Sequence, residues 1–141
     1  MPDEYIFVYG TLRKRTATHM HEVLARHCDY HCDGTMQGKL YEVDGYPGIV
    51  ESDEASDRVY GELYRIIDRD WVLSQLDEYE QCAERFPEPH EYVRMKISIR
   101  SAKDGELTAW VYVFNHDVTD LTQIESGDYA DQSTAAKSRN V

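Results

Sequence analysis

At 141 residues the chain is long enough for one domain with a real hydrophobic core, and it needs no disulfide or metal to fold. Acidic residues outnumber basic ones 27 to 15; the resulting net charge of −12 repels phosphate backbones and anionic lipid, which argues against nucleic acid and membrane surfaces as partners. No run of about 18 apolar residues is available to span a bilayer, the start Met1-Pro2-Asp3-Glu4 lacks an apolar signal segment, and the three cysteines are few and odd in number, so free thiols in a cytoplasmic setting are expected.

Tyr5 to Tyr9 is a short run of aromatic and β-branched residues and reads as a buried strand, which Gly10 ends. Thr16 or Thr18 can cap a helix whose face carries Met20, Val23, Leu24 and His27. Extended chain is expected around Cys28 to Cys32 and again over Met36 to Val43. Gly45-Tyr46-Pro47-Gly48 then reads as a turn and Ile49-Val50 as a brief return strand. Glu51 to Arg58 is a polar loop and Val59 to Ile67 a strand. Asp68-Arg69-Asp70 then reads as a helix start with an aspartate as cap, and a short helix is expected over Trp71 to about Tyr79, with Val72, Leu76 and Tyr79 on one face. Cys82 to Glu91, with its two prolines, is a loop. Val93 to Arg100 and Leu107 to Phe114 form a hairpin about Asp104-Gly105. No internal repeat or domain boundary is visible. The expectation is one mostly β domain with two short helices over 1–129, followed by a polar tail, 130–141, that is expected to be disordered.

Three stretches carry candidate chemistry. "HCDYHCD", His27 to Asp33, crowds metal-binding side chains together, but a closed zinc site needs four ligands, and Cys82, His90 and His116 supply no second pair. As a strand, Cys28, Tyr30 and Cys32 face one side and His27, Asp29, His31 and Asp33 the other. No metal is expected. Cys82 beside Glu80 and Glu84 is poorly placed for a nucleophile, because nearby acids raise a thiol's pKa. "LDEYE", Leu76 to Glu80, puts Asp77, Glu78 and Glu80 at the end of a helix whose dipole is already negative there. Mutual repulsion makes each carboxyl harder to ionise, and a carboxyl so tuned can both take and give a proton; a solvated helix end is the plainer reading. "FVYGTLRKR", Phe7 to Arg15, ends a strand on Gly10-Thr11, where successive N–H groups can hold an oxyanion; a plain turn with a charged surface is the alternative.

"VYGTLR" (Val8 to Arg13), "GKLYEVDGYPGIV" (Gly38 to Val50), "VYGELYRI" (Val59 to Ile66), "LDEYE" and "SGDY" (Ser126 to Tyr129) occur in that order across almost the whole chain. Together they resemble the gamma-glutamylcyclotransferase-like family, in its small-domain branch that includes gamma-glutamylamine cyclotransferase. Tyr129 departs from the tryptophan common in microbial relatives. The resemblance implies a mixed α/β fold: a small, curved, barrel-like, mostly β sheet with two or more flanking helices and a pocket where the first strand ends. It implies cyclisation of a gamma-glutamyl group to 5-oxoproline with release of an amine, without cofactor. Glu80 matches the family's general acid/base, Tyr9, Gly10, Thr11 and Leu12 its substrate loop, and Tyr92 and Tyr112 the pocket tyrosines of the last two strands. The loops Glu51 to Arg58 and Cys82 to Glu91 would flank the leaving amine. A non-catalytic module that binds a small carboxylate on the same fold is the alternative. The identity of the amine and the oligomeric state are not readable from these residues.

Overall fold

The computed structural model of the chain describes residues 4–9, 26–43, 46–79, 92–103 and 105–128. Within them lie strands β1 (Tyr5–Val8), β2 (Cys28–Val43), β3 (Tyr46–Glu51) and β4 (Arg58–Ile66), helix α1 (Arg69–Tyr79), and strands β5 (Tyr92–Ser101), β6 (Gly105–Phe114) and β7 (Thr122–Gln123). The sheet runs β3-β2-β4-β1-β6-β5, and β5 returns to pair with β2 through Gly34↔Ser101 and Thr35↔Arg100. That last pairing closes β2, β4, β1, β6 and β5 into a barrel, so these strands have no open edge. Among the described strands only β1 and β6 run parallel, meeting at Ile6↔Trp110.

The barrel interior is filled by alternate residues of each strand, among them Phe7, Met36, Leu63, Ile99 and Val111. On the outside, α1 lays Val72, Leu73 and Leu76 over Ile6, Val8 and Tyr64. The α1 amide of Val72 donates to the Asp68 carbonyl at 2.9 Å, so of the two aspartates the sequence offers it is Asp68 that opens the helix, and α1 begins at Arg69, two residues before the expected start at Trp71. The first expected helix falls mostly outside the described residues; Arg26 and His27 are helical where the description resumes.

Three local expectations are corrected. The two extended stretches at Cys28 and Met36 are one strand of 16 residues. Within it the register slips between Tyr30 and Cys32, a bulge that inserts His31 and reverses the alternation. Cys28 therefore packs under α1 while Cys32 turns into the barrel, and Tyr30, expected on the same buried face, stays 42% exposed. Third, Pro47 and Gly48 are strand rather than turn, pairing with Glu42 and Tyr41. Pro47 is tolerated because β3 is the edge of the sheet, where a missing N–H leaves no ladder bond unmade. The hairpin between β5 and β6 forms where Asp104-Gly105 places it, with Gly105 at φ 78°.

Candidate functional site

The site is built where β1 ends. Val8 pairs with Glu62 of β4, and the next position on β4 is Gly61, whose missing side chain lets the chains touch. A Cβ there would lie 2.4 Å from the Val8 carbonyl oxygen and 2.6 Å from the Phe7 ring, so only glycine fits. Tyr9 continues the interior row of Phe7, is buried, and donates from its hydroxyl to the Tyr112 carbonyl at 2.6 Å. The last residue before Gly10 is thus held to β6 by its side chain.

Tyr112 faces the other way, outward under α1, and its own hydroxyl donates to Asp77 Oδ1 at 2.7 Å. Asp77 also takes two bonds from Arg94, Nε at 2.8 Å and an Nη at 3.1 Å. This two-point ion pair is half-buried, and a planar guanidinium meeting a carboxylate in this way is a strong, directional contact. The expected crowding of carboxylates at the end of α1 is therefore relieved at Asp77 by a cation from β5. Arg94 itself lies over the Trp110 ring at 4.5 Å, with Lys96 at 4.9 Å. The Trp110 indole N–H donates to Glu4 at 2.8 Å and, together with Arg69, holds the Glu4 carboxyl below its ordinary pKa.

Tyr92 shares the outward face of the β5–β6 pair with Tyr112, because Tyr92 pairs with Phe114 and Arg94 with Tyr112. The two hydroxyls part company: that of Tyr92 donates to the Pro47 carbonyl at 2.7 Å, tying β5 to β3. Of the residues singled out from the sequence, Tyr9, Tyr92 and Tyr112 are thus all buried, and Tyr9 is joined to Tyr112. Glu80, Gly10, Thr11 and Leu12 lie outside the described residues, as do Arg13, Lys14 and Arg15.

Sequence reasoning missed Glu62. It is only 1% exposed and accepts a hydrogen bond from the Tyr64 hydroxyl at 3.0 Å. Burial, and then the Glu62 charge, push the Tyr64 phenol well above its usual pKa. The signal was present as one acid inside "VYGELYRI", an otherwise strand-like run, but a strand has two faces and the pattern does not say which is covered. Cys28 and Cys32, the centre of the metal-like stretch, sit on opposite faces of the barrel wall. Burial pushes the Cys28 thiol up to about 12, so it stays protonated and unreactive at neutral pH. Among the described residues no group of three or more His, Cys, Asp and Glu is disposed to hold a metal ion.

Among the described residues a closed five-stranded barrel carries helix α1 across its β1–β4 wall, an architecture shared with solved proteins. The structure of YkqA from Bacillus subtilis matches with a TM-score of 0.72 at 26% identity, covering 97% of this chain and 43% of that one, so the chain spans less than half of YkqA. A mouse AIG2-like protein matches with a TM-score of 0.64 over 85% of this chain and 82% of that one; at 19% identity this likeness concerns the fold alone. In sequence, the chain is 33% identical over 128 residues to the gamma-glutamylcyclotransferase family protein YtfP of Escherichia coli K12, covering 90% of this chain and 96% of the relative. The model of the family "Gamma-glutamyl cyclotransferase, AIG2-like" matches residues 6–131. The chain belongs to this gamma-glutamylcyclotransferase family.

Proposed function

We propose that this protein is a cofactor-independent cyclotransferase that closes a gamma-glutamyl group into 5-oxoproline and releases the attached amine. The substrate brings its own nucleophile. Its α-amine nitrogen attacks its γ-carbonyl carbon, a new C–N bond closes the five-membered ring, and the old γ-amide C–N bond breaks. The proton lost by the attacking nitrogen ends on the departing amine. The protein must hold the chain folded, stabilise the oxyanion on the γ-carbonyl, and carry that proton. N–H groups of the Tyr9 to Leu12 loop serve the oxyanion and Glu80 carries the proton in both directions.

The observation that supports this reading is the tie from Tyr9 through Tyr112 to Asp77. It joins the root of the loop, one residue before Gly10, to the last turn of α1, three residues before Glu80. The tie runs through β6, with Tyr9 bonded to the Tyr112 carbonyl from the barrel interior and Asp77 bonded to the Tyr112 hydroxyl on the outer face; it supports the reading by anchoring both segments to one strand. Family membership points the same way.

The test is release of 5-oxoproline from a panel of gamma-glutamyl amines, with Glu80→Gln beside the wild type. General acid–base groups typically contribute about 10²- to 10⁴-fold. Glu80→Gln should therefore lose turnover by at least about 10²-fold while keeping its fold and its affinity for 5-oxoproline. Near-normal turnover by Glu80→Gln would remove Glu80 from the mechanism. Binding of 5-oxoproline with no turnover of any panel member by the wild type would instead favour a non-catalytic carboxylate-binding module.

A further inference from the structure

Outside the barrel, against β2, β4 and β5, lies an open cavity of about 410 Å³ whose walls include Asp33, Thr35, Arg58, Tyr60, Arg100 and Asp128. A second of the same size, with Arg58 and Tyr60 in common, continues from it toward Gln123 to Gly127. The register sets the groove's geometry. Thr35 pairs with Tyr60 on one side and with Arg100 on the other, so these three form one row across three strands. Directly paired residues point to the same face, and two strand spacings put the Arg100 and Tyr60 backbones about 10 Å apart. Arg58 precedes Tyr60 by two residues and shares its face. Gly127 closes the groove's far end: its carbonyl accepts the Tyr60 amide at 2.8 Å.

The charges are uneven in their engagement. Three other described arginines are matched to acids, Arg65 with Asp29, Arg69 with Glu4 and Arg94 with Asp77. Among the described residues Arg58 and Arg100 have no such partner, although the chain carries a net charge of −12. Asp33, on the same face, already accepts the Tyr30 hydroxyl at 2.7 Å. Two arginines and two aspartates leave the groove formally neutral, so it offers little to a polyanion and most to a single carboxylate held between the guanidinium groups.

The groove also adjoins the site. Gly61, in its wall, is the residue pressed against the Val8 carbonyl, and Tyr60 lies two positions past Glu62 along β4 in the direction β1 runs toward Tyr9. We propose that this groove holds the leaving half of the substrate, and that Arg58 and Arg100 select gamma-glutamyl compounds whose amine carries a carboxylate, that is, gamma-glutamyl amino acids and peptides, over gamma-glutamyl amines without one. The proposal rests on the cyclotransferase reading above for the word "leaving", but the carboxylate site itself does not.

The experiment compares gamma-glutamylglycine with gamma-glutamylglycinamide, which differ only in that carboxylate, by 5-oxoproline release. The full-length wild type should favour the acid by at least about tenfold in kcat/KM, two charge-assisted contacts being sufficient for that. The ratio should collapse toward unity in R58Q/R100Q, and a matching thermal unfolding midpoint shows that the double variant is folded. A wild-type ratio near one overturns the proposal without any variant. Binding of N-acetylglycine against N-acetylglycinamide, followed by NMR titration, gives a readout independent of turnover. If neither gamma-glutamyl compound is turned over, the cyclotransferase reading is decided by the wider panel above, and the groove stands or falls on this titration. Preference for the acid that R58Q/R100Q abolishes supports the groove; equal binding of the two overturns it.

Discussion

An aspartate in the last turn of a helix faces the negative end of the dipole and is ordinarily a mild liability. Asp77 escapes this because Arg94 grips both its oxygens and Tyr112 gives it a third hydrogen bond. Asp77→Asn keeps an acceptor for Tyr112 but leaves Arg94 half-buried without its counter-charge. It should lower stability by about 1–3 kcal/mol, read as a lower midpoint in urea at unchanged slope. A change under about 0.3 kcal/mol, within the range of neutral surface substitutions, would mean that the pair contributes nothing. The motif around Asp77 was visible in the sequence, but its partner was not. Arg94 lies 17 residues away, and no periodicity relates a helix end to a residue on a strand that packs beside it. Tyr9 and Tyr112 show the same limit, since their hydrogen bond spans 103 positions.

At the scale of elements, strand and helix alternation did most of the work, and its failures have mechanical causes. The bulge at His31 adds one residue to β2 and so sends Cys28 and Cys32 to different faces. Any argument from strict period-two alternation breaks at that point, because one extra residue inverts the parity of everything after it. Helix α1 followed its pattern more closely: Val72 and Leu76 are fully buried, and Leu73 widens the apolar stripe. Leu76 seats the final turn of α1, one residue before Asp77. Leu76→Ala should cost about 2–5 kcal/mol, the usual range for emptying a buried leucine site. Chemical unfolding measures this, and a cost below about 1 kcal/mol would mean that the helix lies loosely on the barrel.

For the whole molecule, closure is the decisive event. Glu4 shows how separate parts are bound together: beside β1, it accepts from Trp110 on β6 and pairs with Arg69 at the start of α1. Those contacts lower its pKa below the ordinary 4.5, the Trp110 hydrogen bond being the largest cause. A carboxyl with a depressed folded-state pKa contributes stability that is fully present above its unfolded pKa and is lost as pH falls through the folded value. Glu4→Gln should therefore be less stable than the wild type at pH 7, and the gap should narrow as pH falls below about 4.5. Thermal unfolding of both proteins between pH 7 and pH 3 gives the comparison; a gap that widens in acid would contradict the assignment.

Local pattern was sufficient for β1, β4, the helix around Asp68 to Tyr79, the β5–β6 hairpin and the ordered motifs of the family, because each depends on residues a few positions apart. The pairing of β2 with β5 that closes the barrel depends on chain segments more than sixty residues apart, and the tie of Tyr9 to Tyr112 and of Tyr112 to Asp77 spans 103 and 35 positions. Such contacts form only when the sheet curls and the interior fills, so their identity lies in packing geometry and not in any stretch of sequence. The same holds for the groove of Arg58 and Arg100: two arginines 42 positions apart in number flank one face only because β2 takes β4 on one edge and β5 on the other.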